Sequence, residues 1–375
     1  MERSFEGKCK FLDTNFTMAA VKKTIAGLKK GKATGSDTIC NEILIAAKEF
    51  IAPILSTLFD KILELEYFPV SWSLSLIVPI HKSGELDDPN NFRGISLNSC
   101  ISKLFTNMMN ARLMNLCEEK GHVDCNQIGF RKGSRTSDHV FTLKTVIDQS
   151  YAQGKKLYAC FVDFKKAYDT VWRDGLFYKM LEKGISTKAV KLIRDMYSKT
   201  KACIKLEGGL SNIFNSIVGL KQGCNLSPTL FNIFVNDLIN YINFQNTDAP
   251  YLDNLQVSCL LYADDLVLLS ETKEGLQKSL NALDEFTKDW FMEVNLKKTK
   301  CLEFSRGRKS FLTNHFKLGK LKIDNCDEYC YLGVIFVRSG SMKTASKALH
   351  DKAQGAMFSL LRTINKHHTT ISIFY

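Results

Sequence analysis

Two adjacent aspartates, Asp264 and Asp265, lie between the apolar runs 257–261 and 266–269. Apolar runs of this length around a short polar break predict two buried strands joined by a tight turn. A third carboxylate, Asp163, ends another run, Leu157 to Val162, rich in aromatic and β-branched residues and therefore also a predicted strand. Asp-Asp alone is ordinary turn chemistry. A matching third carboxylate at the end of another strand shifts the reading toward a shared site. Like charges held together repel, so a fold that gathers them calls for a cation. Such a set suits hard divalent metals, where two ions roughly 3.5–4 Å apart can clamp the attacking and leaving oxygens of a phosphoryl transfer. Asp169 lies beyond the run, near a predicted helix start, and is expected to cap it.

The elements that must position these groups follow from periodicity. An amphipathic helix is predicted over 18–30, with Thr17 before it and Gly31 after it. Helical spacing runs over 42–65, interrupted at Pro53, and a strand over 74–80 follows. Further helices are predicted over 98–117, 138–151, 175–182, 187–199, 227–242, 274–290 and 342–364. A hairpin of 202–206 and 213–218 is expected to turn at Gly208-Gly209, and short strands at 301–304 and 329–337. Helices interleaved with a few mostly antiparallel strands predict an α+β fold.

The 375 residues are enough for a large core and two or three subdomains, and 45% hydrophobic with 24% charged is a globular balance. The net charge of +12, joined to a metal-phosphate site, favours a polyanion partner. The twelve cysteines sit mostly inside apolar runs, which predicts reduced, buried thiols in an intracellular protein and leaves nucleus and cytoplasm open. Neither Cys117, His122 and Cys125 nor Cys326 and Cys330 completes a zinc spacing. No apolar stretch is long enough for a transmembrane segment, and the charged start Met1-Glu2-Arg3-Ser4 is not expected to act as a signal peptide.

Nine motifs in a fixed order now resemble one family. They are Gly31-Lys32-Ala33 with Gly35 and Asp37; the turn Pro79 to Gly84; Asn91 to Leu97; Gln127 to Arg131; Phe161-Val162-Asp163; Gly219 to Pro228; Tyr262 to Asp265; Asn295 to Thr299; and Tyr331-Leu332-Gly333. The order resembles reverse transcriptases of non-LTR (LINE-type, jockey-like) retrotransposons. The resemblance implies a right-hand polymerase, with an antiparallel palm sheet flanked by helices. It implies an N-terminal helical extension to the fingers at 1–68, fingers and palm at 69–337, and the start of a thumb at 338–375.

The resemblance also implies roles. Asp163, Asp264 and Asp265 would hold two Mg²⁺ ions while a primer 3′-hydroxyl attacks a dNTP on an RNA template. Lys82 and Arg93 would reach the triphosphate, a point charge and a bidentate fork. The backbone at Phe164 could donate to the triphosphate, and Tyr168 would gate against the sugar 2′-hydroxyl. Gln222 and Gly223 would meet the nucleotide, and Lys298 would protonate pyrophosphate. Tyr331, Leu332 and Gly333 would form the primer grip. RNA template, DNA primer or target and dNTP are the implied partners, with no membrane.

Some positions depart from the family pattern. Gly94 and Asn225 stand where proline is usual and are expected to loosen turns near the substrate; Met292-Glu293 and the Ser134-Arg135 order also differ. No room is left for the endonuclease usual in such elements, so a polymerase fragment is expected. Two other readings stay open. One is a decayed or domesticated nucleic-acid-binding protein without turnover; the other is an RNA-dependent RNA polymerase.

Overall fold

A computed structural model describes residues 10–82, 84–306 and 315–366. Ser83 of the expected turn and the charged start lie outside these residues. The chain divides into two compact units: 1–132 with 165–240 and 286–293, and 133–164 with 241–285 and 294–375.

The second unit is built on a six-stranded sheet, ordered Phe316–Leu318, Leu321–Asn325, Lys300–Phe304, Leu157–Val162, Asp265–Ser270, Cys259–Tyr262. All its described pairings are antiparallel except that of Lys300–Phe304 with Leu321–Asn325. The Leu157–Val162 strand lies inside this sheet and is buried along its whole length, which is why it reads as a continuous apolar run. The helix Thr136–Ala152 contributes Leu143, Val146 and Ile147 to a core shared with Phe161, Val267, Leu302 and Phe304. A separate hairpin, Glu328–Tyr331 with Val334–Val337, turns through Leu332 and Gly333 at φ 47° and 85°. Its Tyr331 is buried in the same core, with its hydroxyl 3.4 Å from His139 Nδ1.

The first unit holds a second sheet, in which Leu74–His81 pairs antiparallel with Phe92–Leu97 and parallel with Lys201–Leu206. Phe16, Phe59, Phe68, Trp72 and Phe105 pack edge-on and tilted in its core. Lys179 is wholly buried here; its ammonium donates to the Phe234 carbonyl at 2.6 Å, lies 3.1 Å from Asp237 and sits over the Trp290 ring.

The α+β class stands, with several local corrections. The first helix spans Met18–Ala26, capped by Thr17 as expected but ended at Gly27 rather than Gly31. The break expected at Pro53 falls at Ala47, between the helices Asn41–Ala46 and Lys48–Glu64. Pro53, on an exposed face, stays inside the second helix. The helix expected over 227–242 divides at Asn236, whose side chain accepts a 2.7 Å bond from the Asp124 N–H. The strand Phe92–Leu97 was not foreseen. Among the described residues, no helix is long and apolar enough to cross a membrane.

Candidate active site

In the second unit, register brings the carboxylates to one end of the sheet. Leu266 pairs with Val162, so Asp265 and Asp163 occupy the next facing positions as the ladder ends. Asp265 also pairs with Tyr262, leaving Ala263 and Asp264 as a two-residue turn, with Ala263 at φ 56°. Asp265 reaches solvent, yet its protein surroundings push its carboxyl up to about 6, helped by repulsion from Asp264 and then Asp163.

Asp163 is clasped by the segment Asn295–Thr299. Asn295 donates its backbone N–H to the Asp163 carbonyl at 2.7 Å and its side-chain amide to Asp163 Oδ2 at 2.9 Å. The Asp163 N–H donates to the buried Thr299 hydroxyl at 3.1 Å. Lys298 belongs to the same turn, and its side chain is exposed. The Phe164 ring is buried, so any ligand contact there comes from its backbone. Phe164 faces Val294 in an isolated bridge whose bonds use the Asp163 carbonyl and the Lys165 N–H, leaving the Phe164 N–H outside that pairing.

The donor chemistry fits a hard divalent cation, since it offers only carboxylate oxygens. Among the described residues, no three His, Cys, Asp or Glu side chains close around a metal-sized point. A sparse set of this kind suits an ion that keeps several waters and draws further ligands from substrate phosphates.

The first unit contains a cavity of about 470 Å³, lined among others by Arg93, Phe130, Tyr168, Gln222, Gly223 and Asn225. That volume falls within the range of small-molecule sites. Four of the residues expected to bind nucleotide therefore line one cavity. Tyr168 is fixed by stacking on Phe231, with ring centroids 4.5 Å apart and planes 16° apart. Gln222 Nε2 donates to Asp169 Oδ1 at 2.8 Å, so Asp169 orients the glutamine instead of capping a helix. The following helix starts only at Arg173, which corrects the capping expectation. Gly223 has φ 85°, and a Cβ there would meet the Ser96 carbonyl at 2.7 Å. Lys82 is exposed just past the end of its strand.

The loosened turns are also corrected. Asn225 replaces proline's fixed φ with a tether, its side-chain amide donating to the Lys103 carbonyl at 3.0 Å. Gly94 sits in a paired strand, where a Cβ would meet Ile77 Cγ2 at 2.9 Å. It serves close packing rather than flexibility. The partners of Asn295, Thr299 and Asp169 are not evident from the sequence, although Asn295 and Thr299 lie within one of the nine motifs.

This α+β arrangement is that of the right-hand polymerase fold. A solved structure of apo telomerase from Candida tropicalis, truncated from its C-terminal domain, superposes with a TM-score of 0.50 over 81% of this chain and 61% of that one, at 14% identity. Residues 80–336 match the family described as reverse transcriptase (RNA-dependent DNA polymerase), and the chain belongs to that family. The probable RNA-directed DNA polymerase from transposon BS of Drosophila melanogaster is 28% identical over 92% of this chain and 38% of its own length. The RNA-directed DNA polymerase from mobile element jockey of the same fly is 26% identical over 86% of this chain and 35% of its own length. The resemblance to jockey-like elements is thus borne out, while the chain spans well under half the length of these relatives.

Proposed function

We propose that this chain carries out RNA-directed DNA synthesis, adding dNTP units to a primer 3′-hydroxyl on an RNA template. The observation that carries the reading is the register that sets Asp163 opposite Asp265, with Asp264 in the adjoining turn. These three carboxylates would hold two Mg²⁺ ions. When bound, the ions supply charge stabilisation at the attacking and leaving oxygens.

The protein's own groups do the rest. Arg93 and Lys82 bind the triphosphate, and the Phe164 N–H donates to it. Tyr168, braced by Phe231, meets the sugar where a 2′-hydroxyl would project. Gln222, oriented by Asp169, and the close-approaching backbone of Gly223 contact the nucleotide. Lys298 hands a proton to departing pyrophosphate. With Tyr331 in the core, the Leu332-Gly333 turn is what the hairpin offers to a primer end. In this reading 1–68 extends the fingers, 69–337 forms fingers and palm, and 338–375 begins the thumb. RNA template and DNA primer are the partners, and an excess of basic residues suits both.

Primer extension on an RNA template with dNTPs and Mg²⁺ tests this. Wild type extends the primer and Asp264→Ala does not. No product from either would favour a binding protein without turnover, and equal product from both would take Asp264 out of the reaction.

A further inference from the structure

The three-point clasp on Asp163 contains one bond that acts on the carboxylate itself. The Asn295 N–H and the Thr299 hydroxyl fix the Asp163 backbone. The Asn295 side-chain amide reaches past them to Oδ2 at 2.9 Å. It makes the two carboxylate oxygens unequal, with Oδ2 engaged by an N–H. The donor is neutral, so it orients the carboxylate without cancelling the charge that would attract a cation, as a lysine or arginine would.

We infer that Asn295 is a positioning residue that holds Asp163 to a single metal-facing oxygen and thereby biases the site toward Mg²⁺ over Ca²⁺. The inference rests on the metal role given to Asp163 above. Mg²⁺ requires near-octahedral geometry at about 2.0–2.1 Å, whereas Ca²⁺ takes six to eight oxygens at roughly 2.3–2.6 Å and accepts bidentate carboxylates. For Asp163 to chelate with both oxygens, Oδ2 would have to serve the ion as well as the Asn295 amide, and that competition disfavours the bidentate form. Without the amide, the larger ion gains an oxygen that the smaller one cannot use.

The test is Mn²⁺ binding by the full chain, read as free Mn²⁺ by electron paramagnetic resonance, with Mg²⁺ and Ca²⁺ as competitors. Asn295→Ala removes the amide. Asn295→Leu removes it while keeping the side chain's shape and the backbone clasp, and it decides the matter if the alanine variant does not fold. Thr299→Val disturbs only the backbone grip. The expected result is a shift of about tenfold in the ratio of Mg²⁺ to Ca²⁺ competition, toward Ca²⁺, in the two Asn295 variants. Thr299→Val leaves that ratio where it was. An unchanged ratio in the folded Asn295 variants, or an equal shift in Thr299→Val, overturns the inference. Loss of Mn²⁺ binding in Asp163→Asn then shows that the metal role itself survives. A wild-type chain that binds no Mn²⁺ overturns both.

Discussion

Gly219→Ala strikes the strap that carries Gln222 without changing any group that would touch substrate. Gly219 has φ 76°, and a Cβ on it would lie 2.4 Å from the Asp169 carbonyl oxygen, 2.6 Å from its carbon and 2.7 Å from its Cα. All three obstacles are backbone, so no side chain can swing aside. The strap must retreat by more than half an ångström. It is held by bonds from the Gly219 N–H to the Val171 carbonyl at 3.0 Å and from the Leu220 N–H to the Tyr168 carbonyl at 2.7 Å. The left-handed backbone costs alanine about 1 kcal/mol. Weakening the two bonds adds about 1 kcal/mol each, for a total near 3 kcal/mol. Gly121 supplies the control: at φ 63° it has nothing within 4 Å of its Cβ position, so Gly121→Ala costs only the backbone component. Urea denaturation of the three proteins should order them wild type, Gly121→Ala, Gly219→Ala, the last two separated by about 2 kcal/mol. The displaced strap should also raise KM for dNTP in Gly219→Ala. Equal stability of the two variants would refute the close-approach argument.

Two other outcomes follow from the same structure. Tyr168→Ala removes the ring braced on Phe231 and should relax dNTP-over-NTP selection by about tenfold or more in competing kcat/KM values. Unchanged selection would remove Tyr168 from the gate, and a wild type that prefers NTPs would point to RNA synthesis. Burial lowers the His139 pKa to about 4 from 6.5, against a smaller opposing pull from Asp138. Its folded pKa is depressed, so unfolding takes up a proton below pH 6.5. Stability is therefore complete above that pH and falls between 6.5 and 4, by about 3 kcal/mol in total. Denaturation of His139→Leu beside wild type checks this: the variant should lose less stability on acidification, and parallel curves would contradict it.

The carboxylate-bearing end of the sheet was legible because burial on both faces writes itself as an unbroken apolar run, with carboxylates standing out where it stops. The cavity residues were legible only through motif order, since nothing in the spacing of Arg93, Tyr168 and Gln222 announces one shared cavity. What stayed hidden depends on partners distant in sequence. Asp169 looks like a cap until the chain folds Gln222 onto it. The division at Asn236 answers to the Asp124 N–H rather than to a local breaker. Pro53 misled because the helix Lys48–Glu64 continues through it, on a face exposed to solvent. The Phe92–Leu97 strand escaped notice because arginine and glycine interrupt its apolar residues. Lys179 is wholly buried, which its local sequence does not mark.

The proposed function requires Asp163 and Asp264 to share paired cations at the end of this sheet. Anomalous diffraction from crystals grown with Mn²⁺, an RNA–DNA primer–template and a non-hydrolysable dNTP addresses it most directly. Two peaks roughly 3.5–4 Å apart are expected, bounded by the carboxylates of Asp163 and Asp264. A nucleotide seated with its metals away from Asp163, or with no metal at Asp264, would contradict the proposed function.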